Sequence, residues 1–200
     1  IVSVDFHGST GYGQAFTDAI NKDWGGKPLV DLQKGLDAAL SKYGWLDGTR
    51  ACSLGASYGG YSALMQPIRE PGLYRCAAGY VGVYSIPLMF KTGDTSESEL
   101  GRKFMARVMP EGPEAQRQQS PAYNAARIKV PVLLAHGKMD VRAPIDHFEF
   151  MREQLAKAGN PPEVTIVEEQ EGHGFVDLDR KVAYYEKLLA FLDRHIGAKR

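Results

Sequence analysis

Short apolar runs alternate with amphipathic helical patterns along this chain, and few folds accommodate that alternation. The runs are Ile1–Asp5, Arg50–Leu54, Cys76–Val83, Val130–His136 and Glu163–Val167. Their length and their bias toward apolar and small residues suit strands of a parallel sheet covered on both faces. Between them, Leu29–Tyr43 places Val30, Leu32, Leu36, Ala39 and Leu40 at mostly helical spacing. Pro144–Ala158 does the same with Ile145, Phe148, Met151 and Leu155, behind a proline suited to a first helical position. Asp177–Ile196 closes the chain with Val182, Tyr185, Leu189, Leu192 and Ile196 as its expected core face. Strands alternating with helices predict an α/β domain, and 200 residues suit one such domain with a sizeable core. The stretch from Lys91 to Gln119 departs from the pattern. It is polar and punctuated by Gly and Pro around one short helical segment, Phe104–Met109, and is expected to form a lid or pocket wall above the sheet.

Charge narrows the function. Lys plus Arg and Asp plus Glu are both 24, with no long block of either sign, so no nucleic-acid or membrane-surface partner is expected. The terminal Lys199-Arg200 reads as the end of a solvated helix. No stretch approaches the roughly 18 apolar residues of a membrane span. Cys52 and Cys76 match no metal spacing and are expected to be buried free thiols. No set of His, Cys and carboxylates has metal spacing, so no metal is expected. The compartment stays open between cytoplasm and periplasm, because the chain starts at Ile1 with neither Met nor a signal peptide.

The chemistry centres on "SLGASYGGYSAL", residues 53–64. Gly55-Ala56-Ser57-Tyr58-Gly59 is a G-x-S-x-G element between an apolar run and a good helix former, the strand–turn–helix setting that holds a serine out in the open. A serine hydroxyl needs a base to take its proton and an acid to orient that base. On this kind of sheet the chain order is Ser, then Asp or Glu, then His. Asp140 follows the run "VPVLLAHG" and His173 follows "EVTIVEE", both beyond the C-terminal ends of expected strands, where such sheets assemble their sites. Taken singly, Asp140 could be a turn residue or helix cap, and His173 a solvated loop histidine. Of the other histidines, His136 is expected to hydrogen-bond neighbouring loops, and His147 and His195 to occupy exposed helix positions. His7-Gly8 reads as a structural loop near the site, with direct contact to the oxyanion as the lesser alternative.

These motifs carry a resemblance. "GASYGGYSAL", "SPAYNAARIKVPVLLAHGKMD" and "EGHGF", with "HGSTGYGQAF" and "WGGKPLVDLQKGLDA" upstream, resemble the catalytic domain of the prolyl oligopeptidase family of serine peptidases over nearly the whole chain. The Ser-Tyr-Gly-Gly-Tyr form is similar to the dipeptidyl-peptidase and acylaminoacyl-peptidase branches. The resemblance implies an α/β-hydrolase fold, a mostly parallel sheet with helices on both faces, and no cofactor. It implies Ser57 as nucleophile, Asp140 as orienting acid and His173 as base, with the backbone N–H of Tyr58 facing the oxyanion. Arg142 matches a family position that holds a substrate backbone carbonyl; without the resemblance it reads as a surface charge. Tyr61, Val83 and Ile86 fall where the family builds its first specificity pocket. His7 stands where the family more often has Arg.

The resemblance also implies a short peptide substrate, a β-propeller joined upstream in the same polypeptide, and a strand between Ile1–Asp5 and Arg50–Leu54 that this chain lacks. Residues 1–200 are therefore expected to be the C-terminal portion of a longer chain, with N-terminal strands of the sheet missing. A one-strand gap would separate the two runs by about 10 Å. The function expected is hydrolysis of short peptides through a Ser-Asp-His triad and an acyl-enzyme. A carboxylesterase is the alternative on the same residues, and a non-catalytic hydrolase-fold binding module ranks below both.

Overall fold

The computed structural model describes residues 1–198, so Lys199-Arg200 lie outside the described residues. In chain order the elements are α1 (Gln14–Asp18), α2 (Lys27–Lys42), β1 (Ala51–Ala56), α3 (Tyr58–Arg69), β2 (Tyr74–Tyr80), α4 (Ile86–Met89), α5 (Asp94–Glu97), α6 (Glu99–Val108) and α7 (Pro113–Gln118). A 3₁₀ helix (Pro121–Arg127), β3 (Val132–Gly137), α8 (Asp146–Lys157), β4 (Val164–Glu168) and α9 (Leu178–Ile196) follow. The strands form one sheet in the order β1-β2-β3-β4, and every pairing is parallel.

Period-two alternation sorts the side chains between two cores. On β3, Val132 and Leu134 face one cluster with Leu64, Ile68, Phe148, Met151 and Leu155, beneath α3 and α8. Leu133 and Ala135 face the opposite cluster with Ile166, Tyr184, Leu188 and Phe191, beneath α9. Because β3 is covered on both sides, all six of its residues are buried. The segment after Lys91 folds as α5, α6 and α7, a helical excursion that anchors itself through Met105 and Val108.

Three expectations change. First, Ile1–Asp5, expected as a strand separated from the next by a gap, forms no strand, and among the described residues β1 pairs only with β2. A strand needs a hydrogen-bonded neighbour, and here a groove of about 570 Å³ lies between them, lined by Ile1, Val4, Leu36, Leu40, Cys52 and Leu54 among others. Second, Cys52 and Cys76 form a disulfide and are not free thiols. They are register partners on β1 and β2, with Cα atoms 4.7 Å apart, which brings the two sulfurs together. Third, α9 buries Tyr184, Leu188 and Phe191 and exposes Val182, Tyr185 and Leu189. The helix is apolar at adjacent positions (184/185, 188/189, 191/192), so two faces one residue apart fit the period, and packing selects one of them.

Candidate active site

Ser57 sits at the join of β1 and α3 with φ 57° and ψ −117°, a left-handed conformation that costs a non-glycine residue about 1–3 kcal/mol. The surroundings hold it there. The Ser57 amide donates to the Tyr80 carbonyl at the end of β2 (2.9 Å), and Ser53 Oγ ties β1 to the Ala63 carbonyl of α3 (2.7 Å). Gly55 is required because a Cβ there would lie 2.6 Å from the backbone of Gly59. The strain thus presents Ser57 Oγ at the C-terminal edge of the sheet, next to the N-terminus of a helix.

His173 Nε2 lies 2.8 Å from Ser57 Oγ, and His173 Nδ1 lies 2.7 Å from Asp140 Oδ2. The Asp140 side chain is wholly buried, whereas His173 keeps 28% of its side chain exposed, enough to meet a bound molecule. Asp140 is also a turn residue. Its Oδ1 accepts from the amides of Arg142 and Ala143, both at 2.9 Å, which aims Oδ2 at the histidine. His136 Nε2 donates to the Ala143 carbonyl (2.7 Å), bracing the same turn. This is the loop-bonding role expected of it.

Sequence reasoning missed the residues that carry the histidine loop. Glu171 accepts from the amides of Val176 (2.8 Å) and Asp177 (3.0 Å), and these bonds hold its carboxyl below the usual carboxylate range. The Tyr80 hydroxyl accepts from the Phe175 amide, and its ring stacks on Tyr184. The Met139 amide donates to the Glu171 carbonyl (2.9 Å), joining the acid loop to the histidine loop. The acidic residue opening "EGHGF" was the available signal for Glu171.

The remaining expected residues divide. Tyr58 is the first residue of α3, where a backbone N–H has no intrahelical acceptor. Its hydroxyl donates to the Trp24 carbonyl (2.8 Å), and burial pushes its phenol pKa up. Arg142 lies on the acid loop and pairs with Asp94. Tyr61, Val83 and Ile86 lie inside the apolar core, between 0% and 4% exposed, instead of at an open wall. Trp24 packs on Tyr58 and Tyr61 and belongs to the same cluster. His7 is tied to α2 through Asp31, with its amide at 2.8 Å and Nδ1 at 2.5 Å from Oδ2, so it makes its own hydrogen-bonded contact with the helix.

His147 is fully buried, contrary to its expected exposure. Its Nδ1 faces the amides of Tyr84 (3.2 Å) and Ser85 (3.3 Å), a geometry that only the neutral ring can accept. Burial first, then the nearby His136, push its pKa down from 6.5 to about 3, with Asp140 opposing weakly. The unfolded chain therefore binds a proton that the folded chain refuses. Stability associated with His147 is complete above pH 6.5 and declines as pH falls toward 3. Between pH 7 and pH 4 the loss is expected to be roughly 3 kcal/mol. Urea unfolding at pH 7, 5.5 and 4 checks it: His147→Asn should flatten the slope relative to wild type. Parallel slopes would remove His147 as the cause.

The comparisons with known proteins bear on this geometry. The model of the prolyl oligopeptidase family matches residues 1–199. The chain belongs to that family. It is 28% identical over its full length to dipeptidyl aminopeptidase BIII of Pseudoxanthomonas mexicana and covers 29% of that protein. It is 26% identical over its full length to dipeptidyl peptidase family member 6 of Caenorhabditis elegans, covering 27% of it. Among solved structures, a puromycin-hydrolyzing peptidase of Mycobacterium tuberculosis superposes with a TM-score of 0.87 at 26% identity, over 97% of this chain and 29% of that one. An acylaminoacyl peptidase of Pyrococcus horikoshii also gives 0.87, at 23% identity over 98% of this chain and 32% of that one, and speaks for the fold. The fold is that of an α/β-hydrolase. The chain spans under a third of each of these relatives.

Proposed function

We propose that the chain is the catalytic part of a serine peptidase that cleaves short peptides through an acyl-enzyme on Ser57. The observation that carries this reading is the continuous line of hydrogen bonds from Asp140 through His173 to Ser57. Membership of a family with dipeptidyl and acylaminoacyl peptidases among the relatives supports a peptide substrate. Asp140 Oδ2 accepts the Nδ1 proton of His173, which leaves Nε2 unprotonated and facing the serine hydroxyl. Nε2 takes that proton as Oγ attacks the scissile carbonyl, and the imidazolium then protonates the departing amine. The Tyr58 amide donates to the oxyanion, aided by the positive end of α3. Water deacylates the serine with His173 again as base. Arg142 binds a backbone carbonyl upstream of the scissile bond.

A fluorophosphonate probe tests this reading on the full-length protein. Stoichiometric labelling at Ser57, lost in Ser57→Ala, is the expected result; an unlabelled wild-type protein overturns it. Turnover of a peptide anilide against the matching ester then separates a peptidase from an esterase.

We also propose that these residues work within a longer polypeptide, with an upstream strand in the groove beside β1 and an upstream β-propeller. Support comes from the outer side of β1, which pairs with no strand among the described residues, and from the apolar lining of the groove. Supplying the upstream polypeptide is expected to raise soluble yield and activity well above those of residues 1–200 alone. Equal yield and activity from the two would refute it.

A further inference from the structure

The excursion after β2 meets the acid loop at Gly93 and Asp94, and the contact is built from several parts. The Asp94 amide donates to the Val141 carbonyl (2.8 Å). Gly93, at φ 89°, lets the chain come so close that an added Cβ would lie 2.9 Å from the Arg142 carbonyl. The Asp94 carboxylate meets Arg142 Nε at 2.9 and 3.1 Å through its two oxygens. Both members are partly exposed, and an isolated surface pair of this kind holds little. Here the backbone bond and the close approach of Gly93 fix one partner in advance, which lowers the cost of ordering the other. Among the described residues, neither terminal nitrogen of the guanidinium has a hydrogen-bond partner.

The Arg142 amide bonds to Asp140, so the guanidinium is anchored on the turn that orients His173. Beside it lies a recess of about 400 Å³, lined also by Thr95, Ser98, Leu100 and Phe104. Among the described residues, Asp94 and Arg142 are its only charged lining residues, and they pair with each other.

We propose that Asp94 is a positioning and specificity residue for this site. It holds Arg142 by Nε, keeps both terminal nitrogens free for a peptide carbonyl upstream of the scissile bond, and cancels the arginine's charge so that an acidic substrate side chain there gains nothing. The substrate class selected is a peptide whose residue upstream of the cleaved one is uncharged. This rests on the reading of Arg142 and Ser57 given above.

The probes are N-acetyl-Xaa-Ala 4-nitroanilides with Xaa as Ala, Glu or Lys, used on the full-length protein. For Asp94→Asn, KM for the Ala probe is expected to rise about fivefold with kcat changed by less than about twofold, because only ground-state positioning is lost. The ratio of kcat/KM for the Glu probe over the Ala probe is expected to rise about fivefold or more, from the unmasked guanidinium. That gain should shrink in high salt. Asp94→Glu should restore the wild-type ratio, and Arg142→Ala with Asp94→Asn should do no more than Arg142→Ala alone. Fluorophosphonate labelling of Ser57 separates the two levels. If wild type is not labelled, the Ser57 reading fails and this one with it. If wild type and Asp94→Asn are labelled equally while KM and the Glu/Ala ratio stay unchanged, only the role of Asp94 fails. A protein labelled at Ser57 but inert toward the anilides is read by competition of the N-acetyl-Xaa-Ala peptides against labelling, with the same expected and overturning ratios.

Discussion

Replacing Ser57 with alanine is expected to lower peptide turnover on the order of 10⁴- to 10⁶-fold while leaving the fold intact. In the proposed mechanism the size follows because, without Oγ, there is nothing for His173 to deprotonate and no acyl-enzyme to form. The fold should survive because, among the described residues, Ser57 Oγ bonds only to His173, whereas the elbow is held by the Ser57 amide on Tyr80 and the Ser53 hydroxyl on Ala63. Steady-state kinetics on a peptide anilide, with circular dichroism and urea midpoints as controls, measure both halves. Activity within about tenfold of wild type would sink the nucleophile assignment, because remaining site contacts cannot substitute for a covalent step.

Asp140→Asn is expected to cost about 10³- to 10⁴-fold in kcat/KM through the histidine, not through the fold. The wild-type carboxylate accepts on both sides: the His173 ring on Oδ2, and the amides of Arg142 and Ala143 on Oδ1. An asparagine can keep only one of these arrangements. With its oxygen on the turn amides, its NH₂ faces His173, whose Nδ1 must then accept. The ring proton moves to Nε2 and points at Ser57, the wrong tautomer for a base. With the amide reversed, NH₂ meets the two turn amides, and the loop must shift. Fluorophosphonate labelling should slow in parallel with turnover. A loss of less than about tenfold would show that Asp140 serves the turn and not the histidine.

Much of this was legible without coordinates. Parallel strands read directly from apolar runs, because a strand buried on both faces has no polar side to show; β3 illustrates this with six buried residues. Ser57, Asp140 and His173 stood out in the sequence because a strand end followed by a loop leaves a signature in spacing and residue type, and the fold brings the three side chains within hydrogen-bond distance at one edge of the sheet. His136 was read as a loop-bonding residue for the same reason, since it ends the buried strand.

What the chain alone could not decide were choices made between segments distant in sequence. Cys52 and Cys76 look like two small buried side chains until β1 and β2 pair in a register that sets them side by side. The face of α9 was ambiguous by one residue, because Tyr184 and Tyr185, or Leu188 and Leu189, satisfy the helical period equally until the sheet selects one of each. His147 was expected at the surface, yet two amides from the chain after β2 turn toward its ring and bury it neutral. Ile1–Asp5 has strand composition but no strand, since backbone pairing requires a neighbour that apolar residues cannot supply. Asp94 reads as one more surface carboxylate until the excursion folds it against Arg142. Local periodicity and turn chemistry determined which elements form and where the reactive side chains stand in order; the docking of one element on another, which depends on long-range contacts with no local imprint, determined which of those side chains meet.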